Sequence, residues 1–198
     1  MTGRCSAATI HAWPRCTCAT RRSLRPSSPR WAGPGVHLAG EDGAEAAWRV
    51  LQHAIGSPAL QRECLPLLEA AAARGDVPAS YPALLADRIA FCERRPQRYG
   101  TQFDWDRDGH MSVWPIADPE TVDQRRAVVG LPPLADAERQ IREQAAREGE
   151  VRPADYEQRQ REIDHWAGRV GWLATSGSEG MHETGSDVGD SGRHGRVR

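Results

Sequence analysis

The sequence predicts a mainly α fold of the α+β class: one compact helical domain that carries a single β-hairpin and lies between disordered termini. Three observations lead there. Between residues 43 and 93, apolar residues recur at helical spacing. Between residues 97 and 116, the pattern changes to alternation on either side of an Asp-Gly pair. Outside residues 36–172 neither period holds: residues 1–35 mix Arg, Ser, Pro, Cys and Trp, and the C-terminal residues are rich in Gly, Ser, Asp and His. A chain of 198 residues with 39% hydrophobic content has room for one modest core.

The elements follow in order. Ala47, Val50, Leu51, Ala54 and Ile55 form one apolar stripe, so a helix is expected from Gly43 to near Gly56. Ser57-Pro58 is a start signal, and the next helix should run to Arg74-Gly75, kinked or divided at Pro66. A third helix over residues 80–93 places Leu84, Leu85, Ile89 and Cys92 on one face. Tyr99, Thr101, Phe103 and Trp105, then Met111, Val113 and Trp114, read as two strands joined through Asp108-Gly109. Asp118-Pro119 caps a further helix that ends near Gly130, and Leu131-Pro132-Pro133 breaks it. Two charged helices, residues 135–148 and 153–170, complete the domain, and residues 173–198 read as a disordered tail.

Residues 1–35 have no period of 2 or 3.6. Cys5, His11, Cys16 and Cys18 can be drawn as a zinc set, but Cys-x-Cys spacing fits the common patterns poorly. The segment reads as disordered or as frame-altered. With GC-rich codons for residues 11–23, reading two bases later yields Arg-Met-Ala-Glu-Val-His-Leu-Arg-Asn-Ala-Ala-Leu, which regains helical periodicity.

Charge narrows the partners. All 26 basic residues are Arg, a pattern of GC-rich codon usage. Six of them lie in residues 1–40 with no acid, leaving 20 Arg against 27 acidic residues beyond. An acidic body argues against nucleic acid. No apolar run approaches the ~18 residues that span a bilayer, and no signal-peptide core is present. Five unevenly spread Cys point to a reducing cytoplasm.

Candidate site residues are polar groups that interrupt apolar patterns. Gln52 and His53 sit on opposite borders of the first helix's stripe, where His53 is either a packed border residue or a site residue. Asp87 and Arg88 flank the third helix's apolar face and, as neighbours, point in different directions. Gln97, Tyr99, Thr101 and Gln102 follow, with Gly100 suggesting close approach of a backbone or ligand. Asp104, Asp106 and Asp108 with Gly109 open like a calcium loop, but the twelfth position is Pro115, so turn chemistry is preferred. Arg125-Arg126 reads as a solvated helix edge, with anion binding as the alternative. No nucleophile elbow or metal-ligand spacing occurs, and neither a metal nor a cofactor is expected.

Trp48-x-x-x-Gln52-His53-Ala54, Pro58-x-x-Gln61, Leu65-Pro66-Leu67-Leu68, Leu85-x-Asp87-Arg88-Ile89 and Gln97-x-Tyr99-Gly100-Thr101-Gln102 together resemble a family of bacterial domains of unknown function. The resemblance covers about residues 31–134. Gly40-Glu41-Asp42-Gly43-Ala44 and Val122-Asp123-x-Arg125-Arg126-x-x-x-Gly130-Leu131 are similar to actinobacterial members. The resemblance implies no activity. It also implies an N-terminal helix ending in a Gly-Trp-Pro-Gly turn, where this chain has Trp31-Ala32-Gly33-Pro34-Gly35 and would leave apolar surface uncovered.

Two functions compete. In the first, His53, Asp87, Arg88, Gln97, Tyr99 and Gln102 line a cleft for a small polar ligand. As an enzyme, His53 would be the acid or base, Asp87 would orient it, and Arg88 with the glutamines would hold the substrate. In the second, the same groups fix the hairpin and the domain is a noncatalytic protein-interaction module. Convergence on an open cavity favours the first; buried, saturated side chains favour the second.

Overall fold

The computed structural model describes residues 36–173. The expectations for residues 1–35 and 174–198, including the cysteine set, lie outside them. Among the described residues are six α-helices, α1 (Val36–His53), α2 (Pro58–Ala73), α3 (Ser80–Cys92), α4 (Val122–Val128), α5 (Leu134–Glu148) and α6 (Tyr156–Val170). One antiparallel hairpin joins β1 (Phe103–Trp105) and β2 (Met111–Val113). None of these helices is long and apolar enough to cross a membrane.

The core lies where α1, α2 and α3 meet the C-terminal end of α6. Trp48, Leu51, Cys64, Leu85, Ile89, Phe91, Cys92, Ala167 and Trp172 form it. Trp48 stacks on Tyr81 with ring centroids 4.5 Å apart, and Phe91 meets Trp114 edge-on at 5.0 Å, geometries that suit the ring quadrupoles. The buried face of α1 is Ala44, Trp48 and Leu51, rotated from the expected stripe. Ala54 and Ile55 lie beyond the helix, which ends at His53 and kinks at Gly40, where φ is 69°.

Pro66 neither divides nor ends α2. Its missing N–H removes one hydrogen bond, and packing through Cys64, Leu65 and Leu68 against the core keeps the helix in one piece. After α3, Arg94 takes the left-handed conformation (φ 57°) and Arg95 N–H returns to Ala90 O at 2.8 Å, a Schellman-type stop.

The hairpin is shorter than its alternating pattern. Only three residues of each strand pair, Phe103 with Val113 through Trp105 with Met111, and a separate parallel bridge joins Gln97 to Ile116. Tyr99 and Thr101 belong to a loop, because their backbone N–H groups have another acceptor, described below. Asp118 does not cap by its side chain; it is left-handed (φ 51°) and leads into a 3-10 turn, Pro119–Thr121, before α4. Leu173, expected to open the tail, packs against the core.

Candidate functional site

Asp87 and Arg88 are neighbours on α3, and the ~100° helical step between them sends their side chains to different places. Asp87 is fully buried. Its carboxylate accepts from Arg98 N at 2.8 Å, Tyr99 N at 3.1 Å, Thr101 N at 3.0 Å and Thr101 Oγ1 at 3.0 Å. Burial pushes this carboxyl above its usual range, and the four donors pull against that rise without cancelling it.

Gln97 closes the same loop from inside. Its Oε1 accepts from Thr101 N and Gln102 N at 2.9 and 2.8 Å, while its Nε2 donates to Gln102 O and Trp114 O at 3.0 and 2.8 Å. All four hydrogen-bonding positions of a buried amide are filled. Gln102 Nε2 donates to Thr101 Oγ1 at 3.1 Å.

The loop's carbonyls have their own partner. Arg126, 2% exposed, donates to Tyr99 O at 2.6 Å, Gly100 O at 3.0 Å and Pro132 O at 2.6 Å. Arg125 donates to Arg98 O, Ala117 O and Asp118 O. The expected solvated edge is therefore a pair of backbone clamps, since an arginine fork matches several carbonyls at once. Gly100 is required here: its φ is +66°, and a Cβ would stand 2.8 Å from Ile116 Cδ1 and 2.9 Å from Leu134 Cδ1.

Arg88 goes instead to the end of α1. A helix leaves its last carbonyls without internal partners; α1 has two of its last carbonyls met by remote side chains, and a third carbonyl just past its end is met in the same way. Gln61 Nε2, from α2, donates to Leu51 O at 2.8 Å. Arg88 Nη1, from α3, donates to Gln52 O at 2.6 Å. Trp172 Nε1, after α6, donates to Ile55 O just past the helix end at 2.7 Å.

His53 stands exposed in this corner. Partial burial, then the Arg88 charge, lowers its pKa below the ordinary 6.5. Half-buried Arg88 makes no other hydrogen bond and no ion pair among the described residues. Burial also lowers its pKa, so its charge is held at a cost. Gln61 Oε1 is buried without a partner, so this amide is held for its donor alone.

The eight sequence candidates thus divide. Asp87, Gln97, Thr101 and Gln102 come together, with Tyr99 contributing backbone groups and its ring lying beneath the Arg98 guanidinium at 5.7 Å. Gln52, His53 and Arg88 form the second group, where Gln52 acts through its carbonyl. Asp87 does not hydrogen-bond His53, because both its oxygens are engaged by the loop. Three participants were missed. Gln61 shares the buried face of α2 with Pro58, Cys64 and Ala71, a polar residue on an apolar stripe that could have been noticed. Arg126 shares its buried face with Val122, one helical turn earlier. Trp172 carried no local signal of its partner.

The hairpin acids make a turn and an anchor from the hairpin to α6. Asp106 accepts from His110 N, Ser112 Oγ and Asp108 N, which hold its carboxyl below the usual range. Asp104 pairs with Arg159 of α6 at 2.7 Å. Among the described residues, no three His, Cys, Asp or Glu side chains are grouped to hold a metal. Cys64 and Cys92 are free and buried, their thiols pushed up to about 11 and about 12.

A family model described as a family of unknown function, DUF6624, matches residues 26–148. The chain belongs to this family. The match takes in both polar clusters except Trp172. No curated protein and no solved structure matches the chain.

Proposed function

We propose that this member of the DUF6624 family is a binding domain for a small ligand with an anionic or strongly polar group, received at Arg88 with His53 beside it. One observation carries the reading: Arg88 is a partly exposed residue whose largely buried guanidinium has five donors and makes one hydrogen bond, to Gln52 O, among the described residues. A desolvated cation at a helix C-terminus gains from the helix dipole, yet an arginine fork is built for two-point contact with carboxylate or phosphate. An anion would supply the missing charge.

The Asp87 cluster serves as scaffold in this reading. Its groups satisfy one another, which leaves them little to offer a ligand and suits them to fixing the loop between α3 and the hairpin. His53, kept neutral by burial and Arg88, is suited to accept a proton from a bound group. The reduced buried thiols of Cys64 and Cys92 support a cytoplasmic setting, and the Lys-free composition supports a GC-rich actinobacterial source.

A noncatalytic interaction module is the second reading, favoured by the saturation of Asp87, Gln97, Thr101 and Gln102. The two separate on a thermal-shift screen of the full chain against inorganic phosphate, dicarboxylates and nucleotides, with Arg88→Gln and His53→Ala alongside. A ligand-dependent rise in Tm that disappears in Arg88→Gln supports the anion site by mass action. A cooperative melt that no anion shifts overturns it in favour of the interaction module.

A further inference from the structure

The corner between α1 and α2 has almost no local means of holding its shape. Residues 54–57 form a turn with two backbone bonds, Ala54 N to Leu51 O at 3.2 Å and Ser57 N to Ala54 O at 2.9 Å. Ser57 makes no side-chain cap to α2. The corner's position therefore depends on groups that arrive from elsewhere, and the one nearest the turn itself is Trp172. Its indole N–H reaches Ile55 O, two residues beyond His53 and three beyond the carbonyl that holds Arg88.

Trp172 is itself fixed with unusual thoroughness. Its side chain is 3% exposed within the core. The Arg62 guanidinium of α2 lies 4.9 Å from the centre of its ring and donates to Gly171 O and Trp172 O, both at 3.3 Å. Arg62 also pairs with Glu93 at the end of α3 at 2.7 Å. Trp172 N–H and Gly171 N–H both turn back to Ala167 O, ending α6 at a left-handed glycine with φ 91°. The indole is thus a rigid peg, located by α2, α3 and α6, pressing on a turn that has little rigidity of its own.

We infer that Trp172 is a positioning residue for the His53–Arg88 corner, a latch through which a segment beyond the family match at residue 148 sets the geometry of the candidate site. This rests on the anion-binding reading for its functional consequence, while the latch itself can be judged without any ligand. Trp172→Phe keeps an aromatic ring for the core and for Arg62 while removing the N–H donor together with part of the indole's volume. In the full chain, that variant still melts cooperatively, at a lower Tm than wild type because the core loses volume. Amide exchange at Ala54 and Ser57 then accelerates about tenfold, the loss of one modest hydrogen bond, while the amides of Thr101 and Gln102 exchange as before. Inorganic phosphate, titrated by calorimetry, binds the variant about tenfold more weakly than wild type. Unchanged exchange at Ala54 and Ser57 overturns the latch, as does equal acceleration at Thr101 and Gln102, which would mark general loosening. If phosphate fails to bind wild type as well, the anion site falls and the exchange data alone decide the latch.

Discussion

Two adjacent residues of one helix build opposite kinds of polar region. Asp87 enters a closed network in which the loop's N–H groups find the carboxylate and Gln97, while its carbonyls find Arg126 and Arg125. Arg88 enters an open one, with a single hydrogen bond among the described residues, a neutral exposed histidine beside it and an orphaned amide oxygen on Gln61. Burial of polar groups is tolerated where every partner is present and is costly where one is lacking. A closed network reads as architecture and an open one as a place prepared for something else.

The contrast is broken most forcefully at Asp87. Asp87→Ala strips the acceptor from the backbone N–H groups of Arg98 and Tyr99 and from the Thr101 hydroxyl, and leaves Thr101 N to Gln97 Oε1 alone, so we expect a loss of about 3–5 kcal/mol in urea unfolding. A loss below about 1 kcal/mol would mean that the loop does not depend on the carboxylate. Gly100→Ala comes next, at about 2–3 kcal/mol, from a left-handed backbone plus a Cβ driven into Ile116 and Leu134. Wild-type stability in that variant would show that the two side chains simply move aside.

On the open side the effects on folding shrink. Arg88→Gln removes one carbonyl contact together with an unfavourable desolvated charge, so the expected change is at most about 1 kcal/mol. If it matched Asp87→Ala, Arg88 would be as structural as its neighbour, and the distinction between the two regions would fail. His53 should matter least near neutral pH, with His53→Gln within about 0.5 kcal/mol of wild type at pH 8.

His53 nevertheless sharpens the comparison through pH. Its folded pKa lies below the unfolded 6.5, so the unfolded chain binds the proton more readily. The stability this residue confers is complete above 6.5 and disappears as pH falls through the lower folded value. Wild type should therefore lose stability relative to His53→Gln on going from pH 7.5 to pH 5. Parallel pH curves for the two proteins would show that neither burial nor Arg88 lowers the His53 pKa.

Much of this was legible in the sequence because helix period, capping residues and Asp-Gly turns are local. The mainly α class, the hairpin and the charged α5 and α6 follow from such signals. The polar interruptions also marked real clusters, since Asp87, Gln97, Thr101 and Gln102 converge. Their pairing was not legible, because most partners are backbone atoms, which every residue has and no residue type announces. Arg126 looked solvated for the same reason: its acceptors are backbone carbonyls, two of them 26 and 27 positions earlier in the chain. The strand reading of Tyr99 and Thr101 failed because a buried carboxylate took the N–H groups that a ladder would have used. Pro66 was tolerated because tertiary packing outweighed one missing helix bond.

Cys64 and Cys92 bring an unplanned benefit. With thiols held at about 11 and about 12 inside the core, almost no thiolate exists in the folded protein at neutral pH, and an alkylating reagent meets neither sulfur. On opening, both return to an ordinary thiol. Their labelling rates, read peptide by peptide, are internal clocks: one on α2 and one at the end of α3, reporting how often each helix leaves the other.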